Sequence, residues 1–225
     1  MGISPLRMKH ILSVRFSRHA ETYSKWAVPQ KVAAKVLVDF IEPAGSVLDV
    51  GCGTGFISGF LNGCCRLVSV DISPGMAKVV KKSNGTVVIG DAEALPFRDR
   101  SFDYVLSSFS LHWTDLEKSI GEMKRIARDG VGISIPVKGS LEEFGFPFPS
   151  ECDVLNMFPP DRITYKVMSI KIPFTGMDLL KYFHFTGTSY NPLNTNMFSR
   201  SRLLDMIGKV KDSSFRVLFL YARLG

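Results

Sequence analysis

The sequence lacks any long uninterrupted apolar segment. None of the apolar runs in its 225 residues approaches the roughly 18 residues that a membrane-spanning helix needs. The basic start, MGISPLRMKHILSVRF, also lacks both the continuous apolar stretch and the small-residue cleavage site of a signal peptide. We therefore expect neither a membrane span nor a secretory leader.

Cysteine and histidine are scarce, with four residues of each. The adjacent Cys64 and Cys65 fit no zinc-binding spacing, and the histidines are scattered along the chain, so a metal site is not expected. Cysteines without a disulfide framework are typical of a reducing compartment. This usage predicts reduced, structural thiols and a cytoplasmic protein.

The composition is that of an ordinary globular protein, with 45% hydrophobic and 22% charged residues. The formal net charge is +7 and calls for an acidic partner or ligand. The basic residues are spread along the chain and no RNA-binding motif appears, so nucleic acid is an unlikely partner on this pattern.

Short apolar segments alternate with helix-like segments from residue 46 onward. This alternation is typical of βαβ units and predicts an α/β fold with a mostly parallel sheet. The predicted strands are SVLDV, RLVSVD, TVVIGD, FDYVLSS, VGISIPV, TYKVMSIKI and a closing SFRVLFLYARL. The predicted helices are VPQKVAAKVLVDFI with a Val28–Val32–Val36–Phe40 stripe, GFISGFLNG, SPGMAKVVKKS capped by Ser73, DLEKSIGEMKRIAR capped near Thr114 or Asp115, GMDLLKYFHF and SRSRLLDMIGKV.

The stretch VLDVGCGTGF places three glycines in a turn after the first strand. The third glycine comes one residue too early for the dinucleotide fingerprint, and no lysine follows as in a phosphate-binding P-loop. Asp49 stands two residues before Gly51, where a carboxylate would repel a pyrophosphate but hold a cation. S-adenosylmethionine fits this pattern, since it is a nucleoside without phosphate that carries a sulfonium and an ammonium.

VLDVGCGTG resembles the first motif of the class I S-adenosylmethionine-dependent methyltransferases, and three later segments follow in the family's order. These are the Asp71 region, GDAEALPF and SFDYVLSSFSLHW. The resemblance implies a Rossmann-like sandwich with a mostly parallel seven-stranded sheet and an antiparallel closing strand. It also implies S-adenosylmethionine as cofactor, with these binding residues: Asp49, Gly51, Cys52, Gly53, Asp71, Ile72, Asp91, Ala92, Ser107 and Ser108.

Four of these positions keep a second interpretation. Asp71, expected to accept hydrogen bonds from the ribose hydroxyls, could instead be a solvated loop acid. Asp91, expected at the adenine amino group, could stabilise its own turn. His112 and Trp113 could be packing residues.

The leader RFSRHAETYSKWAVPQKVAAKVL is similar to that of the malonyl-acyl-carrier-protein O-methyltransferases of biotin synthesis. Phe16, Arg18, Ala20, Tyr23, Ala27 and Gln30 fall on the family pattern. GSLEEF and FTGMDLLKYFHFTGTSYNP resemble later parts of the same family. The resemblance implies malonyl-acyl carrier protein or malonyl-coenzyme A as substrate and a leader that closes the active site with Tyr23.

The chemistry of such an acceptor is consistent with the residues present. A carboxylate is already a nucleophile at neutral pH and needs no general base. No evident base other than His112 appears, so Tyr23 and His112 are candidate positioning residues. The acceptor's carboxylate would bind a cation, and Arg18, Lys138, Arg162, Arg200 and Arg202 are candidates.

Alternatives remain open at this stage. The same fold could methylate another small acid, a quinone precursor or RNA, or serve as a non-catalytic assembly factor. We expect a single domain in four parts. These are an N-terminal cap and helix (1–42), a cofactor-binding core (43–137), a lid-like insertion (138–172) and the rest of the sheet (173–225).

Overall fold

A computed structural model describes residues 5–61, 63, 65–187 and 213–225. The helix predicted for SRSRLLDMIGKV, together with Arg200 and Arg202, lies outside these residues. Within the described ranges no helix has the length and apolar character needed to cross a membrane. The described cysteines Cys52 and Cys152 are free thiols.

A seven-stranded sheet forms the centre of the protein, in the order β3-β2-β1-β4-β5-β7-β6. β7 runs antiparallel to both of its neighbours, and the pairs among β1 to β5 are parallel. The predicted fold class, a mostly parallel sheet with an antiparallel closing strand, is confirmed. The strands are β1 (Ser46–Val50), β2 (Arg66–Asp71), β3 (Val87–Ile89), β4 (Phe102–Ser108), β5 (Ala127–Pro136), β6 (Ile163–Ile172) and β7 (Ser213–Arg223).

Six α-helices surround the sheet in the described ranges: α1 (Pro5–Trp26), α2 (Val28–Ile41), α3 (Pro74–Lys82), α4 (Leu116–Ile126), α5 (Glu151–Leu155) and α6 (Gly176–Phe185). The Ser73 side chain accepts a hydrogen bond from the Met76 N–H at the start of α3, and Asp115 caps α4 in the same way. Both caps agree with the sequence expectation, because Ser and Asp oxygens satisfy the free N–H groups of a first turn.

Helix α2 buries a different face from the predicted one. Val28 and Val32 are exposed, whereas Ala33, Ala34 and Leu37 are fully buried beneath the sheet. The valine stripe prediction was therefore wrong at Val28 and Val32, whereas Val36 and Phe40 are partly buried and pack against the core. Small alanine side chains allow the helix backbone to approach the sheet closely, and this packing outweighs the regular spacing of the valines.

The segment GFISGFLNG does not form the predicted helix. Among the described residues of this segment only Ile57–Gly59 is helical, as a single 3-10 turn. Gly55, Gly59 and Gly63 fall within nine residues of chain, and each glycine in a helix interior costs about 1 kcal/mol relative to alanine. Gly55 also has a φ of +88°, outside helical geometry. The glycine content stops the helix after one turn.

The predicted lid-like insertion divides into two parts. Residues 163–172 are strand β6 at the edge of the sheet, paired over ten positions with β7. Residues 138–162 are mostly irregular, and their aromatic side chains Phe144, Phe146 and Phe148 pack on one another and against the core rather than into solvent. The irregular insertion is thus limited to 138–162.

Candidate cofactor and acceptor site

The glycine turn lies at the carboxyl end of β1, at the edge of the sheet where ligands bind in open α/β folds. Gly51 has a φ of +68°, and a Cβ at this position would collide with Ser110. The N–H groups of Gly51 and Cys52 both donate to the Val70 carbonyl on β2. Glycine at position 51 is therefore required both by backbone conformation and by the close approach of Ser110.

Asp71 is the last residue of β2 and holds the glycine turn by a hydrogen bond. Its Oδ2 accepts a hydrogen bond of 2.8 Å from the Gly53 N–H, and its Oδ1 accepts one of 2.8 Å from the Ser73 N–H. Burial raises the pKa of this carboxyl, while the two backbone donors act in the opposite direction. Asp71 also lines the adjoining cavity, so each oxygen retains a lone pair for a ligand hydroxyl.

Asp49 lies on β1, two residues before Gly51, and is almost fully buried, with 2% exposure. Its Oδ2 has no hydrogen-bond partner among the described residues. Burial, and then the charge of Asp71, raise the pKa of Asp49 to about 8. An unpartnered buried carboxylate is costly, and a bound cation would remove that cost. This arrangement fits the cationic end of S-adenosylmethionine.

Three more of the predicted cofactor residues line the cavity beside the glycine turn. Ile72, Asp91 and Ala92 all line a cavity shared with Gly51 and Asp71. Asp91 Oδ1 accepts from the Glu93 N–H, as expected for a carboxylate stabilising its own turn. Its Oδ2 lies 2.6 Å from Lys9 Nζ, a contact that the sequence did not indicate.

Helix α1 forms the outer wall of this cavity. Leu12, Phe16 and Tyr23 project into it from α1. The Ser13 hydroxyl donates to the Ile72 carbonyl, and the Ser17 hydroxyl accepts from the Gly75 N–H. The leader is thus a helix laid across the carboxyl edge of the sheet, which places Tyr23 at the centre of the site.

A second cavity, of about 370 Å³, adjoins the first. One part of its wall is aromatic, with Phe109, Trp113, Phe148 and Phe215 among its residues. The residues that line both cavities are Lys9, Tyr23, Phe109, Trp113 and Thr114. Because the cavities share a wall, a group bound in the larger one would face the cofactor cavity, as an acceptor must.

His112 lines this second cavity and is partly buried. Its Nδ1 is buried without a hydrogen-bond partner among the described residues, and it packs against Trp113 and Phe148. Burial lowers the pKa of His112 to about 3. The imidazole is therefore neutral at pH 7 and can donate or accept one hydrogen bond, but it is a poor proton acceptor.

Several predicted residues lie elsewhere. The Ser107 hydroxyl donates to the Val50 carbonyl and is fully buried behind the turn, whereas Ser108, with Cys52, lines a small cavity beside Asp49. Arg18 is exposed on the outer surface of α1 and Lys138 is exposed after β5. Arg162 donates to the Leu224 carbonyl at the opposite edge of the sheet.

Other residues at the site were not predicted as site residues from the sequence. Lys9 and Lys118 bring positive charge to the acceptor cavity, and Ser110 lines the cofactor cavity. Gln30, noted only as part of the leader pattern, lines the acceptor cavity from α2. Ser110 is two residues beyond the predicted Ser108 and could have been included. No local sequence pattern marks Lys9 and Lys118 as site residues, because the packing of their helices is what brings them to the carboxyl edge of the sheet.

Comparison with known proteins agrees with this geometry. Residues 48–135 match the methyltransferase domain family. The malonyl-[acyl-carrier protein] O-methyltransferase of Herminiimonas arsenicoxydans is 36% identical over 167 residues, covering 66% of this chain and 64% of the relative. That of Serratia marcescens is 31% identical over 145 residues, covering 61% and 57%. The chain thus spans less than two thirds of the length of these curated relatives.

A solved structure shows the same fold over nearly the whole chain. The S-adenosylmethionine-dependent methyltransferase of Thermotoga maritima, described as a possible histamine N-methyltransferase, superposes with a TM-score of 0.61 at 17% identity. The match covers 95% of this chain and 99% of that one. Residues 48–135 are therefore similar to the methyltransferase domain family, and the chain has the fold of the class I S-adenosylmethionine-dependent methyltransferases.

Proposed function

We propose that the chain transfers the methyl group of S-adenosylmethionine to the free carboxylate of a malonyl thioester, with malonyl-acyl carrier protein as the preferred form and biotin precursor synthesis as its context. The names of the two curated relatives and the leader resemblance support this acceptor. S-adenosylmethionine supplies a methyl group already activated by its sulfonium. The protein then has to bind and align the two reactants.

The observation that carries the carboxylate acceptor is the lack of a suitable general base among the described residues of the acceptor cavity. His112 is neutral with a pKa of about 3, and Glu93 is ion-paired with Lys9. Hydrogen bonds from Lys118 lower the pKa of Asp115. An amine or phenol ordinarily needs a base, whereas a carboxylate is ionised at pH 7.

Lys9 and Lys118 are the cations that line this cavity in the described part of the chain. Lys9 is held between Asp91 and Glu93 at 2.6 Å from each, and Lys118 is largely exposed at the rim beside Asp115. We propose Lys118 as the residue that meets the carboxylate or its carrier. Arg18, Lys138 and Arg162 are less suitable because they lie outside the cavity.

Tyr23 and His112 would orient the acceptor. Tyr23 lies where the two cavities meet, and burial raises the pKa of its hydroxyl, so that it remains a neutral donor. The neutral His112 offers one further hydrogen bond. The aromatic wall excludes water from the reacting carboxylate and strengthens both contacts.

A second candidate acceptor is a quinone-type phenol. The aromatic wall formed by Phe109, Trp113, Phe148 and Phe215 favours a flat apolar ring. Such a substrate would have to lose its proton without a strong base in the cavity, so we place it second. Another small acid remains compatible with the same site.

A methyl-transfer assay separates these acceptors. The purified chain is incubated with S-adenosylmethionine and, in parallel, malonyl-acyl carrier protein, malonyl-coenzyme A, free malonate and a quinone-type phenol. We expect mass spectrometry to detect one added methyl on the carrier, which mild base releases as methanol. A base-stable methyl, or transfer only to the phenol, would refute the carboxylate acceptor. Binding of cofactor without transfer to any acceptor would favour a non-catalytic role.

A further inference from the structure

Gln30 lies in the first turns of α2 and is 7% exposed. Its Nε2 donates a hydrogen bond of 3.0 Å to the Tyr182 hydroxyl on α6. Its Oε1 is buried and has no hydrogen-bond partner among the described residues. An amide oxygen left buried without a donor carries a desolvation cost. Such a cost is expected where a ligand provides the missing donor.

Gln30 and Asp49 border one small cavity beside the glycine turn. It has a volume of about 40 Å³ and is also lined by Gly51, Cys52 and Ser108. Asp49 is the only charged residue among the described residues that line it, and its Oδ2 is unpartnered as well. Two unpaired oxygens, one of them on a carboxyl group, therefore border a space large enough for a small polar group.

A small multidonor cation fits this space. An alkylammonium has three N–H donors and no acceptor, so it can satisfy both oxygens and neutralise the carboxylate. The cofactor's amino-acid end carries such a group together with a carboxylate, which these oxygens would repel. The chemistry of the cavity therefore distinguishes the two ends of the amino-acid portion.

We propose that Gln30 is a further cofactor-binding residue whose amide oxygen, with Asp49, receives the ammonium of S-adenosylmethionine. The inference rests on the proposed use of that cofactor. Tyr182 fixes the amide so that its nitrogen is engaged and its oxygen remains for the ammonium. Through this hydrogen bond between α2 and α6, Gln30 would orient the amino-acid end of the cofactor.

Calorimetric binding of three ligands tests this role. S-adenosylhomocysteine carries the ammonium, its desamino analogue keeps only the carboxylate, and methylthioadenosine lacks the whole amino-acid end. We expect Gln30→Met, which keeps the side-chain length, to lower the affinity for S-adenosylhomocysteine about tenfold. Binding of the other two ligands should change by less than about twofold, which is under 0.5 kcal/mol. The fold of each variant is checked by circular dichroism.

Two further variants separate binding from packing. Gln30→Glu keeps an oxygen acceptor and should retain S-adenosylhomocysteine affinity. Tyr182→Phe removes the hydroxyl that Gln30 contacts but leaves the Gln30 Oε1 in place. It should therefore lower the affinity for S-adenosylhomocysteine less than Gln30→Met does. Equal losses for all three ligands, an equal loss in Tyr182→Phe, or a loss for the desamino analogue would overturn the proposal. Failure of the unmodified chain to bind any of them would instead refute the proposed cofactor.

Discussion

At the scale of single residues, Asp71 joins the glycine turn to the cofactor cavity. We expect Asp71→Ala to weaken S-adenosylmethionine binding by about 1.5–3 kcal/mol, because hydrogen bonds to a charged group are lost. Asp103→Ala is the matched control, since Asp103 also accepts a backbone N–H, from Ser46, but at the opposite edge of the sheet. Calorimetry should find its cofactor affinity unchanged. Unchanged affinity in a folded Asp71→Ala would contradict the role.

Asp49 makes cofactor binding depend on pH. Burial raises its pKa from 3.8 to about 8, so the folded chain holds a proton at pH 7 that the unfolded chain has lost. Its contribution to the free energy of unfolding therefore falls as pH rises through this window. A bound ammonium favours the ionised form, so we expect cofactor binding at pH 7 to release a proton and affinity to rise toward pH 8.

The released proton is measurable by calorimetry at pH 7 in two buffers of different ionisation enthalpy. The apparent binding enthalpy should differ between the buffers for the unmodified chain. The difference should vanish in Asp49→Asn, which cannot ionise. A chain that binds the cofactor with the same enthalpy in both buffers would contradict the assignment of the cation to Asp49.

The site residues that could be predicted are those set by the local backbone. Asp49, Gly51 and Asp71 occupy fixed positions at the ends of two parallel strands, so spacing alone brings them together. Lys9 and Gln30 reach the same edge from helices, through packing that the sequence does not encode locally. Arg162 was a substrate candidate because it lies in the lid-like insertion, but that position in the sequence gave no indication that it borders the opposite edge of the sheet, beside Leu224.

At the scale of elements, the crossing of α1 over α3 depends on Gly75. A Cβ at this position would lie 2.5 Å from the Ser17 Cα. Alanine is the better helix former by about 1 kcal/mol, so Gly75→Ala would stabilise α3 if α1 did not pack there. We expect the opposite: a lower melting temperature and weaker cofactor binding, because α1 is pushed away from the cavity.

The control for this substitution is Gly121→Ala in α4. No atom lies within 4 Å of a Cβ there, so the variant should gain up to about 1 kcal/mol in the free energy of unfolding without change in cofactor affinity. Thermal melts and calorimetry compare the two variants. Similar gains in both would show that α1 does not depend on the close approach at Gly75.

The elements differ in how far their patterns determine them. Strands of the parallel core were predicted closely, because apolar runs bounded by turns are typical of buried strands. The Ser73 cap was predicted because its chemistry is local. The buried face of α2 depended on packing against the sheet, so the regular spacing of its valines was misleading, whereas the single turn at Ile57 depended on glycine content.

At the scale of the whole molecule, the basic side chains differ in how strongly ion pairs hold them. Lys9 is held in a three-residue ion pair within the site, and Arg125 is held by Glu122 and Asp99 on the far side of α4. Lys118, at the rim of the acceptor cavity, pairs among the described residues with the exposed Asp115. Exposed ion pairs contribute little stability, so Lys118 can exchange its partner for a ligand at low cost.

The net charge of +7 makes association with an acidic carrier protein sensitive to salt. Charges farther apart than about 10 Å are screened at 0.1 M salt, so kcat/KM for malonyl-acyl carrier protein should fall steeply as salt is added. The value for malonyl-coenzyme A, a smaller ligand, should fall less. Lys118→Gln at the cavity rim should flatten the carrier's salt dependence, whereas Arg128→Gln, whose side chain pairs with Asp103 at the opposite edge, should not. Equal salt dependence for both substrates, measured as initial rates of methyl transfer, would show that docking does not use long-range charge.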